Sequence, residues 1–219
     1  MIPLQSDLEQ VPQERREAGC SVRTGQRPDQ RYADLVQPRG VTRHATAGAF
    51  VFCRFPDCRW RLGLIRHPRL DRWMAPGGHV EDDECQALAA LREVEEESGL
   101  TGVRLLEAPA PALPTGFPST HARVPLPWWI IQQQVPADSH LPEDHLHIDH
   151  QYVALVDDPE PVRVPAHPFA WYRPHELGEL RMFEDTRLLA KFLFSCIGDL
   201  AEGLWDGAAM TRPLVAGAN

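Results

Sequence analysis

Gly78-His-Val-Glu-Asp-Asp-Glu84, running on to Arg92-Glu-Val-Glu-Glu-Glu-Ser-Gly99-Leu100, is the stretch that decides how this chain folds. Residues 84–98 suit a helix, because Ala87, Leu88, Leu91 and Val94 recur at helical spacing and form an apolar stripe. Asp82 and Asp83 stand where an N-cap and first-turn acids belong, and Gly99 where a C-cap glycine belongs. Glu93, Glu96 and Glu97 fall at i, i+3 and i+4, so they share one helix face. Like charges at that spacing cost about 0.2–0.5 kcal/mol per pair, and no lysine is interleaved to offset them. A cluster that repels itself calls for a cation, and hard divalent ions take carboxylate oxygens. Taken without its flanks, the same run is a solvated acidic helix face.

The flanks change that reading. Gly78, Glu84, Arg92, Glu93, Val94, Glu96, Glu97, Gly99 and Leu100 satisfy every specified position of G-x5-E-x7-R-E-U-x-E-E-x-G-U, where U is aliphatic. This is the signature of the Nudix hydrolases, and the chain resembles that family over residues 44–196. The preceding Trp73-Met-Ala-Pro-Gly-Gly78 is also typical of it. The resemblance implies an α/β fold, a Nudix-type α/β/α sandwich with a mixed β-sheet. It implies that Glu93, Glu96 and Glu97 bind Mg²⁺ or Mn²⁺, joined by the backbone carbonyl of Gly77. Glu93 serves in some members as the base that deprotonates the attacking water. Glu84 supports the metal site from further out, and Arg92 holds the catalytic glutamate by a salt bridge. The implied reaction is attack of water on a diphosphate linked to another group. Such a polyanion needs metal ions to neutralise it and to activate the water, whatever the family name.

Composition sets bounds. The 219 residues, 43% hydrophobic and 24% charged, match an ordinary globular protein with one good-sized core. A net charge of −9 argues against a broad electrostatic grip on nucleic acid or an anionic membrane. It leaves room for a phosphate-bearing small substrate, because metal ions invert the local sign. Lys191 is the only lysine, so arginines are weak evidence for phosphate binding here. Cys20, Cys53, Cys58, Cys85 and Cys196 form no C-x2-C pair and fit reduced thiols, which places the protein in the cytoplasm. Cys53 and Cys58 flank a turn and could in principle pair. No signal peptide and no apolar run of membrane-spanning length is visible.

Along the chain, residues 1–43 carry seven arginines against six acids and little periodicity beyond a short helix near Ser6–Ala18. They read as an N-terminal extension, flexible or packed on the domain. Residues 44–198 read as the Nudix domain and 199–219 as a C-terminal tail. Strands are expected over Ala45–Arg54, Trp60–His67, Val103–Leu106, Trp128–Val135, His145–Val156 and Phe169–Tyr172. Pro68–Arg72 reads as a loop, and Trp73–His79 leads into the box. Glu107–Pro127 holds six prolines and reads as a long surface loop. Glu184–Ser195 suits a helix buried through Leu188, Leu189, Phe192 and Leu193.

A second constellation is Glu143-Asp-His-Leu-His-Ile-Asp149. His145, His147 and Asp149 alternate, so on a strand they share a face. That pattern suits either a transition-metal site or a polar strand lining a cleft. Nudix relatives carry a similar run near the substrate, which marks His147 and Asp149 as substrate-binding. Metal-loaded box glutamates are poorly placed to serve also as a free base, so Glu143, on a mobile connection, is a candidate base or extra ligand, with Asp144 and Asp149 behind it. Trp73, Phe117, Trp128 and Trp129 are candidates to stack on a base or to pack in the core.

These observations imply a metal-dependent pyrophosphohydrolase of nucleoside triphosphates or of nucleotide-sugar and ADP-ribose-type diphosphates. Its partner is a nucleotide-type small molecule, without nucleic acid or membrane, and a homodimer is compatible with this reading. The alternative is a nucleotide-sensing Nudix-fold binding module without turnover. Such modules lose box glutamates or gain a DNA-binding domain, whereas this sequence keeps every glutamate and shows no basic helix-turn-helix.

Overall fold

The small, apolar run after His44 becomes β1 (Arg43–Arg54), buried on both faces from Thr46 to Cys53. A strand covered on both sides must sit centrally in a sheet with helices above and below. In the computed structural model this is where it lies. The model describes residues 40–118, 120–137 and 141–204; the helix expected near Ser6–Ala18 lies outside the described residues.

β7 (His145–Val156) runs parallel to β1, in register from Arg43↔Leu146 to Cys53↔Val156. β2 (Trp60–His67) pairs antiparallel on the other side of β1, and β3 (Arg72–Met74) and β8 (Phe169–Tyr172) pair with β2. β4 (Gly77–His79) lies antiparallel against Thr46–Gly48, at the polar end of β1. β5 (Arg104–Leu106) and β6 (Trp129–Val135) lie antiparallel along β7.

Period-two alternation divides the two faces. Ala47, Ala49 and Val51 of β1, with Tyr152 and Ala154 of β7, pack against Ala87, Ala90 and Val94 of α1 (Gln86–Ser98). Phe50 and Phe52, with Val153 and Leu155, pack against Leu193, Ile197 and Leu200 of α2 (Glu184–Glu202). The result is an α/β/α sandwich around a mixed sheet, as the sequence implied.

Four local expectations need correction. The loop read over Pro68–Arg72 ends one residue early, because Arg72 opens β3, and the lead-in to the box completes the sheet as β3 and β4. The N-cap of α1 is Cys85, and Asp82 and Asp83 fall in the turn before it. Leu88 is 55% exposed, since alanines, which let the helix lie close to an alanine-rich strand, form the buried face instead. Leu188 is 52% exposed, and α2 continues past Ser195 to bury Cys196, Ile197 and Leu200. Cys53, Cys58, Cys85 and Cys196 are free thiols. The proline-rich loop is pinned near both ends: Trp128 Nε1 donates to the Leu106 carbonyl (2.7 Å) and the Tyr152 hydroxyl to that of Pro125 (3.3 Å).

Helix α1 ends at Gly99, whose φ of +72° is left-handed and whose N–H bonds the Glu95 carbonyl. A Cβ there would lie 2.1 Å from the Arg163 carbonyl oxygen. Gly102 has a similar φ, +70°, with open space around it. Gly102→Ala should therefore cost only the left-handed penalty of about 1–2 kcal/mol. Gly99→Ala should lose that and about 1–3 kcal/mol more through the clash, a difference readable from urea unfolding midpoints of the two variants.

Candidate active site

The site is built where β4 and α1 meet over the polar end of β1. A short connection separates Gly77-Gly78-His79 from the start of the helix, so one face of α1 looks onto the β4 backbone. The Gly77 N–H donates to Glu97 Oε2 at 2.9 Å. Gly77, expected to contribute through its carbonyl, thus meets the cluster through its amide. A Cβ on Gly77 would stand 2.7 Å from Gly48 Cα, and one on Gly78 would stand 2.3 Å from Glu93 Oε1. Bare backbone at these two positions is what lets β4 approach β1 and lets Glu93 lie against β4.

Arg92 ties the acids together. Its Nη2 donates to Glu84 Oε1 (2.7 Å) and to the His79 carbonyl (2.9 Å). Its Nη1 donates to Glu93 Oε1 (2.8 Å) and Glu96 Oε2 (3.2 Å). Hydrogen bonding from Arg92 holds the Glu84 carboxyl below the usual range. Burial raises Glu93 in spite of that arginine. Burial also pushes Glu97 up to about 7, with the Gly77 amide pulling the other way and the charges of Glu93 and Glu96 adding to the rise. Two carboxylates of the cluster therefore sit where their anions are disfavoured, and one guanidinium does not balance them.

That donor set fits a divalent cation, because three carboxylates on one face, two of them desolvated, are short of positive charge. As the side chains stand, no group of three or more His, Cys, Asp or Glu converges on one point among the described residues. Arg92 lies between Glu93 and Glu96, and Glu97 is engaged by Gly77.

His167, which no sequence pattern marks, also reaches the cluster, with Nε2 3.2 Å from Glu97 Oε1. It comes from the segment between β7 and β8. No spacing rule links it to the box; only its position just ahead of a short strand hinted that it would be fixed in space.

On β7, Asp149 Oδ1 accepts a hydrogen bond from Thr46 Oγ1 at 3.0 Å, and its other oxygen accepts from the Gln151 amide. Burial raises the Asp149 carboxyl. Thr46 is also the register partner of His79, so the Asp149 row continues into the box strand. His145 Nδ1 lies 3.0 Å from the Glu143 carbonyl and must carry the proton to bond it. His145 Nε2 is then the acceptor toward His147 Nε2, 3.1 Å away, for neutral rings. The rings of His44 and His79 stand 5.4 Å from His145 and 4.9 Å from His147, respectively.

Glu143 lies just ahead of β7. Its side chain is exposed, its carbonyl serves His145, and it precedes Asp149 by six positions, about 20 Å of extended chain. Trp73 packs on Tyr172 and Trp129 on Phe192, on the α2 side of the core, while Phe117 is 46% exposed.

A family model described as the NUDIX domain matches residues 42–192. Among solved structures, a NUDIX-family hydrolase from Clostridium perfringens superposes with a TM-score of 0.51 at 21% identity, over 72% of this chain and 99% of that one. This likeness shows the shared fold. An Ap4A hydrolase from C. elegans gives 0.44 at 16% identity, over 69% and 96% of the two chains. The NUDIX domain of Shewanella oneidensis NrtR, complexed with ADP ribose, gives 0.44 at 16% identity, over 80% and 97%.

The Glu97 environment sets a pH dependence for the metal-free protein. A carboxyl whose folded-state pKa is raised binds its proton more tightly when folded, so stability falls as pH rises from the ordinary carboxylate range through about 7. Glu97→Gln keeps an acceptor for the Gly77 amide without the charge. In chelator-treated buffer it should be more stable than the parent at pH 8, by on the order of 1–3 kcal/mol, and by a much smaller margin at pH 5. Thermal unfolding at the two pH values checks this.

Proposed function

The chain belongs to the Nudix family, and on that premise we propose that it is a metal-dependent hydrolase of a nucleoside diphosphate linked to another group. The observation that supports this most is the Glu93, Glu96 and Glu97 face, two of whose carboxyls burial raises while a single arginine partly offsets them. In this reading Glu93, Glu96 and Glu97, with the Gly77 carbonyl, hold Mg²⁺ or Mn²⁺. The ion would neutralise diphosphate charge and make a water acidic enough to attack.

The chain's own residues do the rest. Glu84 anchors Arg92, and Arg92 holds Glu93 Oε1 over Gly78. That leaves Glu93 Oε2 outside the arginine's grip, open to the ion or, where the ion does not take it, to the proton of the attacking water. Water oxygen forms the new bond to phosphorus, the bridging P–O bond breaks, and two phosphate-terminated products leave. His147 and Asp149, on the sheet face shared with Thr46, are the residues to contact the substrate beyond its diphosphate. Glu143, exposed just ahead of β7, is the other candidate base or extra ligand, brought to the site when substrate binds. Nucleoside triphosphates and nucleotide-sugar or ADP-ribose-type diphosphates are the substrate classes to test. Among the described residues no helix is long and apolar enough to cross a membrane, and the free thiols suit the cytoplasm.

Release of phosphate-terminated products from a panel of these nucleotides, with Mg²⁺ or Mn²⁺ and again in excess EDTA, tests the proposal. Turnover of at least one panel member should require the ion and vanish with chelator. Nucleotide binding without turnover would make the chain a sensor module instead. Glu96→Gln and Glu97→Gln should each lower kcat by orders of magnitude in a folded protein, and Glu143→Gln identifies the base, since a parental kcat there leaves Glu93 to carry the role alone.

A further inference from the structure

We propose that His167 is a positioning residue for Glu97, fixing the carboxylate in the pose that receives the divalent ion; this rests on the metal-dependent reading above. The contact is double. The His167 main-chain N–H donates to the Glu97 carbonyl (3.3 Å), and its Nε2 lies 3.2 Å from Glu97 Oε1. Oε2 of the same carboxylate accepts from the Gly77 amide. Oε1 thus faces the imidazole at ion-pair distance while Oε2 accepts from a fixed amide, so the carboxylate is flanked on both oxygens and a lone pair on each stays available. For the ring to donate, Nε2 must carry the proton, an assignment made from the geometry.

The segment that delivers His167 is itself strapped to the end of α1. The Ala166 N–H bonds the Glu96 carbonyl (3.1 Å), and those of Val162 and Arg163 bond the Gly99 carbonyl (2.9 and 3.1 Å). Carbonyls in the last turn of a helix have no partner within it, and this strap supplies several. Gly99 allows the approach, since a Cβ there would meet the Arg163 carbonyl. Immediately after His167 the Pro168 carbonyl accepts from the Arg66 N–H (2.8 Å), and β8 then pairs with β2. His167 is therefore held from the helix on one side and from the sheet on the other. Its ring neighbours that of His67, centroids 5.9 Å apart.

A glutamate left free would have to surrender its rotamers when the ion binds, at a cost of up to about 2 kcal/mol. Held by His167 and Gly77, it has surrendered them already. Outer partners of metal ligands typically change metal affinity by about 10–100-fold when removed.

Calorimetric titration of Mn²⁺ into the full chain tests the inference. His167→Ala should bind Mn²⁺ about 10–100-fold more weakly than the parent. His167→Gln, whose amide can still donate to Glu97, should recover most of that loss. In a Glu97→Gln background, His167→Ala should cause no further loss, because the partner is already changed. Should His167→Ala fail to fold, His167→Asn, whose shorter amide cannot span the gap, takes its place. Parental affinity in the Ala variant overturns the inference and leaves the metal-dependent reading standing. An equal loss in the Gln variant also overturns it, since the imidazole would then be a ligand in its own right. No Mn²⁺ binding by the parent chain would remove the metal-dependent reading and this inference with it.

Discussion

Burying Glu93 and Glu97 against the main chain of β4 is the constraint to which this end of the molecule answers. A desolvated carboxylate is costly unless donors or charges meet it. Arg92 meets Glu93 and leaves Glu97 to a backbone amide and a histidine. Those partners do not cancel the cost, and Glu97 remains pushed up to about 7. The surrounding features follow from keeping such groups in place. Glu84 steadies the arginine, two glycines in β4 remove the side chains that would collide with Gly48 and Glu93, and a strap closes the helix end.

The sheet sustains this by dividing its strands lengthwise. The second half of β1 and of β7, with Phe50, Phe52, Val153 and Leu155, belongs to the core under α2. The first half on the same face carries His44, Thr46 and Gly48, beside His145, His147, Asp149 and Gln151. The two strands are parallel, so their polar halves coincide, and β4 adds its glycines at that same end. One pair of long strands thus provides both the apolar area that holds the fold and the polar platform beside the box.

What could be read from the sequence was what repeats or what is local. β1, β2, β7 and β8 follow from apolar runs between turn residues, and α1 and α2 from helical spacing. The carboxylate face followed from i, i+3, i+4 geometry alone. What escaped depends on tertiary neighbours. β3 and β4 are three residues each, too short to show a period, and they become strands only because β2 and β1 offer edges. Leu88 and Leu188 fit an apolar stripe as well as their neighbours do, but the tight seat of each helix on the sheet leaves them outside it. His167 meets Glu97 through a strap whose path is set by the end of α1 and the start of β8, which no local pattern encodes.

The acids of the box are placed where burial costs them rather than away from it. Neutral isosteres at Glu97 would relieve the desolvation and the repulsion from Glu93 and Glu96, so the metal-free fold is not at its most stable with the residue it has. The alanine face of α1, the core under α2 and the two-sided burial of β1 supply stability elsewhere that tolerates this deficit. A cation would reverse the sign of the argument. It would lower the cost of both buried carboxylates together and turn the strain into binding free energy, in the way metal affinity and folding are coupled. The deficit of positive charge around Glu97 is therefore the feature through which a bound cation would act on the stability of this end of the fold.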